Sequence, residues 1–475
     1  MKISIIGCGY LGAVHAATLA SMGHTVTGID VDPAKVDQLS GGVAPFHEPG
    51  LEELLQDGLA MGRLNFSTRA AAARGAQVHF LCVGTPQHKT SDAADLTYLT
   101  SAAEALLPHL AAGAVVVGKS TVPVGTADML RGVLNARPDV LLGWNPEFLR
   151  QGTAVKDSLV PDRLVYGVDG GRAAAFNPRT GAPMGVTAAL DAVYEPLLAA
   201  GIPRVVCNFA TAELIKSAAN AYLATKVSTI NAVAGLCDAA GADVAELSEA
   251  MGMDPRIGGR YLHAGLGFGG GCLPKDIRSF RSQAAGLGVT AVADWMQLVD
   301  AVNLGQRVRT VNLAAELCGG TLAGRSVTVL GASFKPDTDD IRDSPALDVA
   351  DRLSAAGAHV TVTDPKAVNH AWRRYPRLRF EASTLRALEG AELVLLLTEW
   401  DEYRRLSPGV AGALVRRRLV LDARNALDVA VWRAEGWDVR GLGTSAGAAP
   451  AAEEVSPGGP VPQKPAPPRY RPVRR

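Results

Sequence analysis

Lys2-Ile3-Ser4-Ile5-Ile6-Gly7-Cys8-Gly9-Tyr10-Leu11-Gly12 opens the chain, and its reading decides the fold. Residues 2–6 are a short β-branched run. Residues 13–22 are Ala-rich and helical, Gly23 ends them, and residues 25–29 form a second apolar run. The turn Gly7-x-Gly9-x-x-Gly12 therefore leaves a strand and enters a helix. Asp30 closes the next strand, 21 residues after Gly9. Glycines there allow a tight turn and close backbone approach, and the helix N-terminus can meet a pyrophosphate. The carboxylate can then accept from ribose hydroxyls. The pattern predicts a dinucleotide site, and an acid at this place favours NAD over NADP, whose 2′-phosphate it would repel. Lys2 and the apolar residues up to Ala20 also look superficially like a secretory signal, but the glycines interrupt that run.

Outward from this unit, short apolar runs at 78–83, 115–118 and 141–143 alternate with helical stretches, which predicts a parallel, doubly wound sheet. Residues 211–240 are then one long Ala/Leu/Ile/Val run at helical spacing. Only the Gly-rich block 265–271 interrupts what reads as helix around it. Strand logic resumes at 326–330, with a turn at Gly331, a helix over 345–356 and a second strand over 359–363 that ends at Asp364. Runs at 393–397 and 419–421 add two more strands. The expected fold class is α/β, with two Rossmann-like doubly wound domains joined by a central helical domain. The expected boundaries are 1–208, 209–317 and 318–445. A Gly/Pro/Ala-rich surface insertion is expected at 169–187. Residues 446–475 have the composition of a disordered tail, with eight prolines from Pro450 onward.

The 475 residues carry 47 basic and 47 acidic side chains. A zero balance offers no broad field for nucleic acid or anionic lipid. No apolar run reaches the ~18 residues of a membrane-spanning helix. The six cysteines form no C-x-x-C pair, so a zinc ribbon is disfavoured, no metal is expected, and a reducing cytoplasm fits.

Several motifs carry chemistry. Cys82-Val83-Gly84-Thr85-Pro86 and Ser120-Thr121 lie just past strand ends, where open α/β sheets bind ligands; Cys82 itself reads as a packed strand residue. Asn145-Pro146-Glu147 also follows a strand, and a Glu beside a cofactor cleft can act as a general base. Lys216 and Asn220, four apart on an apolar helix, project from one face. Five glycines in residues 265–271 precede Cys272, with Pro274, Lys275 and Asp276 after it. A thiol at a helix N-terminus beside a lysine is expected to ionise below its free pKa of ~8.5. The glycines are expected to let substrate approach, and Asp276, one helical turn on, to order a water. Lys335 and Arg342, after the Gly331 turn, suit phosphates, and Arg424 offers one more cation to the same cleft.

Taken in this order, the blocks resemble the nucleotide-sugar dehydrogenases that oxidise UDP-glucose, GDP-mannose or UDP-N-acetylmannosamine, the UDP-glucose 6-dehydrogenases foremost, over roughly residues 1–445. The resemblance implies four-electron oxidation of a sugar C6 alcohol to a carboxylate with two NAD+. It makes Cys272 the nucleophile, passing through a thiohemiacetal and a thioester. It gives Lys216 and Asn220 the developing oxyanion, and Asp276, Thr121 and Glu147 the water. It assigns the cofactor to Gly7, Gly9, Tyr10, Leu11, Gly12, Asp30, Lys35, Thr85, Pro86, Thr121, Gln151, Lys275 and Arg342. It assigns the UDP-sugar to Phe148, Leu149, Arg150, Gln151, Lys216, Asn220 and Arg256, to Tyr261, Leu262, His263, Ala264, Gly265 and Gly269, and to Phe334, Lys335 and Arg424. The apolar middle helices suit a homodimer. Two residues depart from the family's pattern: Gln151 stands where Glu is usual, and Gly271 where Ser is commoner. A two-electron β-hydroxyacid-type dehydrogenase would share the Lys-x-x-x-Asn helix but leave the Cys272 block and the third domain unexplained. A nucleotide-sugar sensor would not need Cys272, Lys216 and Asp276 intact.

Overall fold

The computed structural model describes residues 1–169, 175–176 and 183–444. The expected insertion at 169–187 falls largely outside these residues, and the tail at 446–475 lies wholly outside them.

Sixteen strands are described. β1 (Lys2–Ile6), β2 (Thr25–Ile29), β3 (Leu64–Ser67), β4 (Val78–Leu81), β5 (Val115–Gly118), β6 (Leu141–Trp144) and β7 (Leu164–Val168) come first. β8 (Ala175–Phe176) and β9 (Pro183–Met184) pair antiparallel, and β10 (Arg204–Cys207) follows. The first sheet runs β10-β7-β6-β5-β4-β1-β2-β3. Six of its strands keep the dinucleotide-fold order 3-2-1-4-5-6. β7 then reverses against β6 and gives β10 a parallel neighbour. The motifs did not point to β7 or β10, because neither ends at a chemistry-bearing turn.

The second sheet is built from β11 (Ser326–Leu330), β12 (His359–Thr363), β13 (Arg379–Phe380), β14 (Leu393–Leu396), β15 (Leu419–Asp422) and β16 (Asp438–Gly441). Its order, β13-β12-β11-β14-β15-β16, repeats 3-2-1-4-5-6, with every pairing parallel. Fully buried runs such as Val78–Leu81 and Leu393–Leu396 are what a sheet covered on both faces demands.

Between the sheets lie the helices Phe209–Ala240, Val244–Gly252, Leu273–Gly286 and Thr290–Leu317. The Phe209–Ala240 helix is capped by Asn208 and stopped by Gly241 at φ +73. Its middle packs on Thr290–Leu317 through Ala221, Ala224, Met296 and Val299, and Ser228 donates to the Val299 carbonyl at 2.8 Å. The irregular segment is longer than the glycine block suggested: no helix forms from residue 253 to residue 272. Among the described residues, no helix is long and apolar enough to cross a membrane.

Candidate active site

The glycine turn is shaped as its spacing requires. Gly7 has φ +89, and a Cβ there would meet Val83 at 2.8 Å. A Cβ on Gly12 would overlap the Gly7 carbonyl oxygen, whereas Gly9 faces open space at the start of the helix Tyr10–Ser21. Asp30 sits beside the turn and accepts from the Cys8 amide at 2.8 Å and from Lys35 Nζ at 2.9 Å. An open helix N-terminus beside an oriented carboxylate fits a dinucleotide. The Tyr10 hydroxyl accepts from the Gly152 amide at 3.0 Å, and the Thr85 hydroxyl donates to the Thr121 carbonyl at 2.7 Å. Leu11 packs against the domain core, and Pro86 lies on the exposed rim.

The third domain repeats the strand-end carboxylate with different partners. Asp364, at the end of β12, accepts from the amides of Ala332 and Ser333 at 2.8 and 2.9 Å. The Trp400 indole donates to the same carboxylate at 3.1 Å. The two sheets share a topology, yet only the first leaves its carboxylate beside an open glycine.

Cys272 stands directly before the helix Leu273–Gly286, whose second residue is Pro274. The residue has open surface while protein crowds its thiol. Lys216, 5 % exposed, reaches Glu147 Oε1 at 3.1 Å. Asn220, one turn along the same helix, donates to Asp276 Oδ2 at 2.7 Å, and Lys275 Nζ meets Asp276 Oδ1 at 2.8 Å. Lys216, Asn220 and Asp276 thus converge on one cluster with Cys272, as expected from the sequence. The expected acidic thiol is not found. Desolvation, then the charges of Asp276 and Glu147, push Cys272 above its ordinary value; Lys216 and Lys275 oppose them without prevailing. Desolvation also works against the charge on Lys216, but Glu147, Cys272 and Asp276 together hold its ammonium above its ordinary value. Cys82 is a packed strand residue, its thiol pushed up to about 12 chiefly by desolvation.

The glycine block also forms a seam between domains. Its missing Cβ atoms admit the third domain. A Cβ on Gly265 would meet the Ala423 carbonyl oxygen at 2.7 Å, and one on Gly270 the Phe334 ring at 2.7 Å. A Cβ on Gly269 would overlap the Asp343 carbonyl and meet the Pro345 ring. The Gly270 amide donates to the Arg342 carbonyl at 3.0 Å, and Leu266 N to the Ala423 carbonyl at 2.7 Å. Arg424 is spent on the same seam: it donates to the carbonyls of Leu397, Gly267 and Phe334 and pairs with Glu399, so it is a staple rather than a free cation.

Other expected contacts divide. Phe148 lies under Arg163, 3.9 Å from ring to guanidinium, and 5.7 Å from Lys216 Nζ. Leu149 N donates to Glu147 Oε2 at 2.8 Å, leaving the Leu149 side chain against the first core. Arg150 is clasped by Asp157 at 2.7 Å. Gln151 is buried, with Oε1 lacking a partner. Lys335 stands over the Phe334 ring at 5.8 Å; desolvation, then Arg150, pull its pKa below the ordinary value. Leu262 and Ala264 turn into a core with Ile230, Ala234 and Val244, so only their backbones can face a ligand. The Gly265 amide is already bound to Asn231 Oδ1 at 2.8 Å. His263 is exposed, and Tyr261 holds a left-handed φ of +64. Arg256 is not gathered into the cluster: it clasps Asp254, two residues back, with its side chain 87 % exposed. That local clasp competes with any distant partner.

Sequence reasoning missed Asn231 and Asn303. Asn303 accepts from the Phe268 amide at 2.8 Å and donates to the Phe268 carbonyl at 3.0 Å. Each is an amide at a buried position of a long helix, and that was the available signal. Lys119 was also missed. It is buried and donates to Asn145 Oδ1 at 2.8 Å, and desolvation pulls it down to about 8. Among the described residues, no group of three or more His, Cys, Asp or Glu is placed to hold a metal ion.

Comparison with known proteins gives one answer for all three domains. Residues 1–197 match the NAD binding domain of the UDP-glucose/GDP-mannose dehydrogenase family, residues 210–305 its central domain, and residues 328–429 its UDP binding domain. UDP-glucose 6-dehydrogenase YwqF of Bacillus subtilis is 37% identical over 452 residues, covering 94% of this chain and 98% of that protein. UDP-glucose 6-dehydrogenase of Rhizobium meliloti is 38% identical over 432 residues, covering 90% and 95%. Among solved structures, a UDP-glucose dehydrogenase from the hyperthermophilic archaeon Pyrobaculum islandicum superposes with TM-score 0.81 at 35% identity, covering 93% of this chain and 97% of that one. The chain belongs to the UDP-glucose/GDP-mannose dehydrogenase family.

Proposed function

We propose, from membership of that family, that the chain oxidises the C6 alcohol of UDP-glucose to the carboxylate of UDP-glucuronate, consuming two NAD+ and one water. The observation that carries this reading is the cluster of Lys216, Asn220, Asp276 and Glu147 around an accessible Cys272. Bound at the glycine turn against Asp30, NAD+ supplies the acceptor for each hydride. The chain does the rest. Lys216 and Asn220 steady the C6 oxygen as charge gathers on it. Cys272 Sγ bonds to the aldehyde carbon, which keeps the half-oxidised sugar from escaping between hydride losses. The thiol carries its proton until then, and Asp276 or Glu147 can receive it. Loss of the second hydride leaves a thioester. Water, oriented by Asp276 with Thr121 and Glu147, adds to the acyl carbon; the C–S bond breaks, and the sulfur leaves as thiol with the acid released.

The third domain holds the UDP portion through the 334–344 loop, where Lys335 presents its ammonium. Two further readings follow from the same surfaces. Exposed Tyr222, Leu236, Trp295 and Leu298 on the two long middle helices suit a second copy of the chain, giving a homodimer. Six unbridged thiols suit the cytoplasm.

The test is stoichiometry. Limiting UDP-glucose with excess NAD+ is expected to yield two NADH per sugar at 340 nm. One NADH per sugar would mark a two-electron dehydrogenase. A panel with GDP-mannose and UDP-N-acetylmannosamine fixes the sugar, and no signal with any of them would leave a sensor.

A further inference from the structure

The two departures from the family's pattern, Gln151 and Gly271, come from different domains and flank one ion pair: Gly271 lies against Arg342, and Gln151 beside its partner Asp340. Arg342 is anchored through its backbone, since its carbonyl accepts from the Gly270 amide at 3.0 Å. Its guanidinium lies against Gly271. A Cβ on Gly271 would overlap Cζ, with Nη1 at 2.6 Å and Nη2 at 2.7 Å. Gly271 is not held at positive φ, so its lack of a side chain serves this contact and not the backbone. The next residue is Cys272.

Asp340 fixes the other side of the guanidinium. Arg342 Nε donates to both of its carboxylate oxygens at 2.9 Å, and the Arg342 amide donates to Oδ1 at 2.9 Å. The Gln151 side chain, arriving from the first domain, is among the neighbours that hold the Asp340 carboxyl below its ordinary value, after Arg342. A neutral amide suits that place; a carboxylate at 151 would stand against Asp340 and compete for Arg342. The contact between the two loops is close, because a Cβ on neighbouring Gly152 would meet the Asp337 carbonyl oxygen at 2.9 Å. The open face of Arg342, 61 % exposed, looks out of this frame.

We propose that Gln151, Asp340 and Gly271 are positioning residues for Arg342, one from each domain, holding a third-domain cation against the peptide that leads into Cys272. There it offsets the negative charge that forms on sulfur and on the thiohemiacetal oxygen. The arrangement answers a problem the site poses, since Asp276 and Glu147 burden the thiol and Lys216 and Lys275 do not fully relieve it. This inference rests on the reading of Cys272 as the nucleophile.

Gly271→Ala in the full-length chain is the test. It changes no charge, and the three atoms nearest the new Cβ all belong to the far end of one flexible side chain, so the fold is expected to survive while Arg342 swings out. The readout is the pH dependence of Cys272 carbamidomethylation by iodoacetamide, followed by mass spectrometry. We expect its midpoint to move up by about half a pH unit or more, the effect of moving one charge a few ångströms at an effective dielectric of ~20–40. Arg342→Gln is expected to give an equal or larger upward shift, and Gly271→Ala to add nothing in that background. Gln151→Leu, which removes the amide beside Asp340 without adding charge, supplies the same comparison should Gly271→Ala fail to fold. An unmoved midpoint, or an equal further shift on top of Arg342→Gln, overturns the inference. Steady production of UDP-glucuronate by Cys272→Ser would overturn the nucleophile instead, so the two failures are distinguishable.

Discussion

Replacing Lys216 with Met removes the ammonium while keeping a long apolar side chain in the helix Phe209–Ala240. Two consequences follow from the geometry and can be measured separately. Glu147 loses its partner at 3.1 Å in a place where its side chain is only 11 % exposed. Breaking a buried pair from one side typically costs ~3–5 kcal/mol, because the remaining charge is left unpaired. Here the Leu149 amide still donates to Glu147 Oε2, which argues for the lower end, about 3 kcal/mol. The rate consequence is independent. A donor aimed at a developing oxyanion contributes ~3–4 kcal/mol, so kcat is expected to fall by about 10²–10³-fold. Denaturant titration measures the first effect and NADH formation at 340 nm the second. The control is the double variant Glu147→Gln/Lys216→Met. It removes both charges, so stability is expected to recover much of what Lys216→Met lost, while the rate stays low. If Lys216→Met turned over within tenfold of the parent while folded, the ammonium would not be acting on the reacting oxygen. If the double variant were no more stable than Lys216→Met, the ion pair would not be the source of the loss.

Cys272→Ser is expected to release at most one NADH per site in a rapid-mixing experiment, with no steady formation of acid; continuing turnover would remove the thioester. Asp30→Ala deletes the acceptor beside the glycine turn. It is expected to raise KM for NAD+ by about 10–100-fold, the value of charge-assisted hydrogen bonds of ~1.5–3 kcal/mol, with a smaller change in kcat. Lys119→Met probes linkage. Lys119 is pulled down to about 8 by desolvation, so between that value and the unfolded ~10.4 the unfolded chain binds the extra proton and stability rises with pH. Relative to Lys119→Met, the parent is expected to gain up to about 3 kcal/mol from pH 7 to pH 10. A stability difference that stays flat over that range would mean Lys119 is not titrating there.

The order of chemical blocks along the chain was legible because each block is local. A strand, a three-glycine turn and an acid at the end of the next strand fall within thirty residues. Lys216 and Asn220 share a face by helical spacing alone, and Cys272 is announced by its glycines. Local geometry follows from neighbours in sequence, so turns, helix faces and strand ends could be placed before any contact was known. The doubly wound sheets followed from the same reasoning, as did the echo between the first and third domains.

What neighbours in sequence could not supply was the field at any one atom. The thiol was expected to be acidic because Lys275 and a helix start lie beside it. It is held up because desolvation, Asp276 and Glu147 act on it together, and Glu147 arrives from another domain. The glycines before Cys272 were expected to let substrate approach; what their local sequence did not announce is that all five also lie within reach of Ala423, Asn303, Asp343, Phe334 and Arg342, four of these from the third domain. Asp30 and Asp364 occupy equivalent strand ends, yet the first pairs with Lys35 and the second with the Trp400 indole, a partner 36 residues away that the strand pattern did not announce. Sequence determined which groups exist and on which local element each sits. Charge, solvation and access are sums over everything within a few ångströms, and in this protein those neighbours come from three domains, so the folded chain alone decides them.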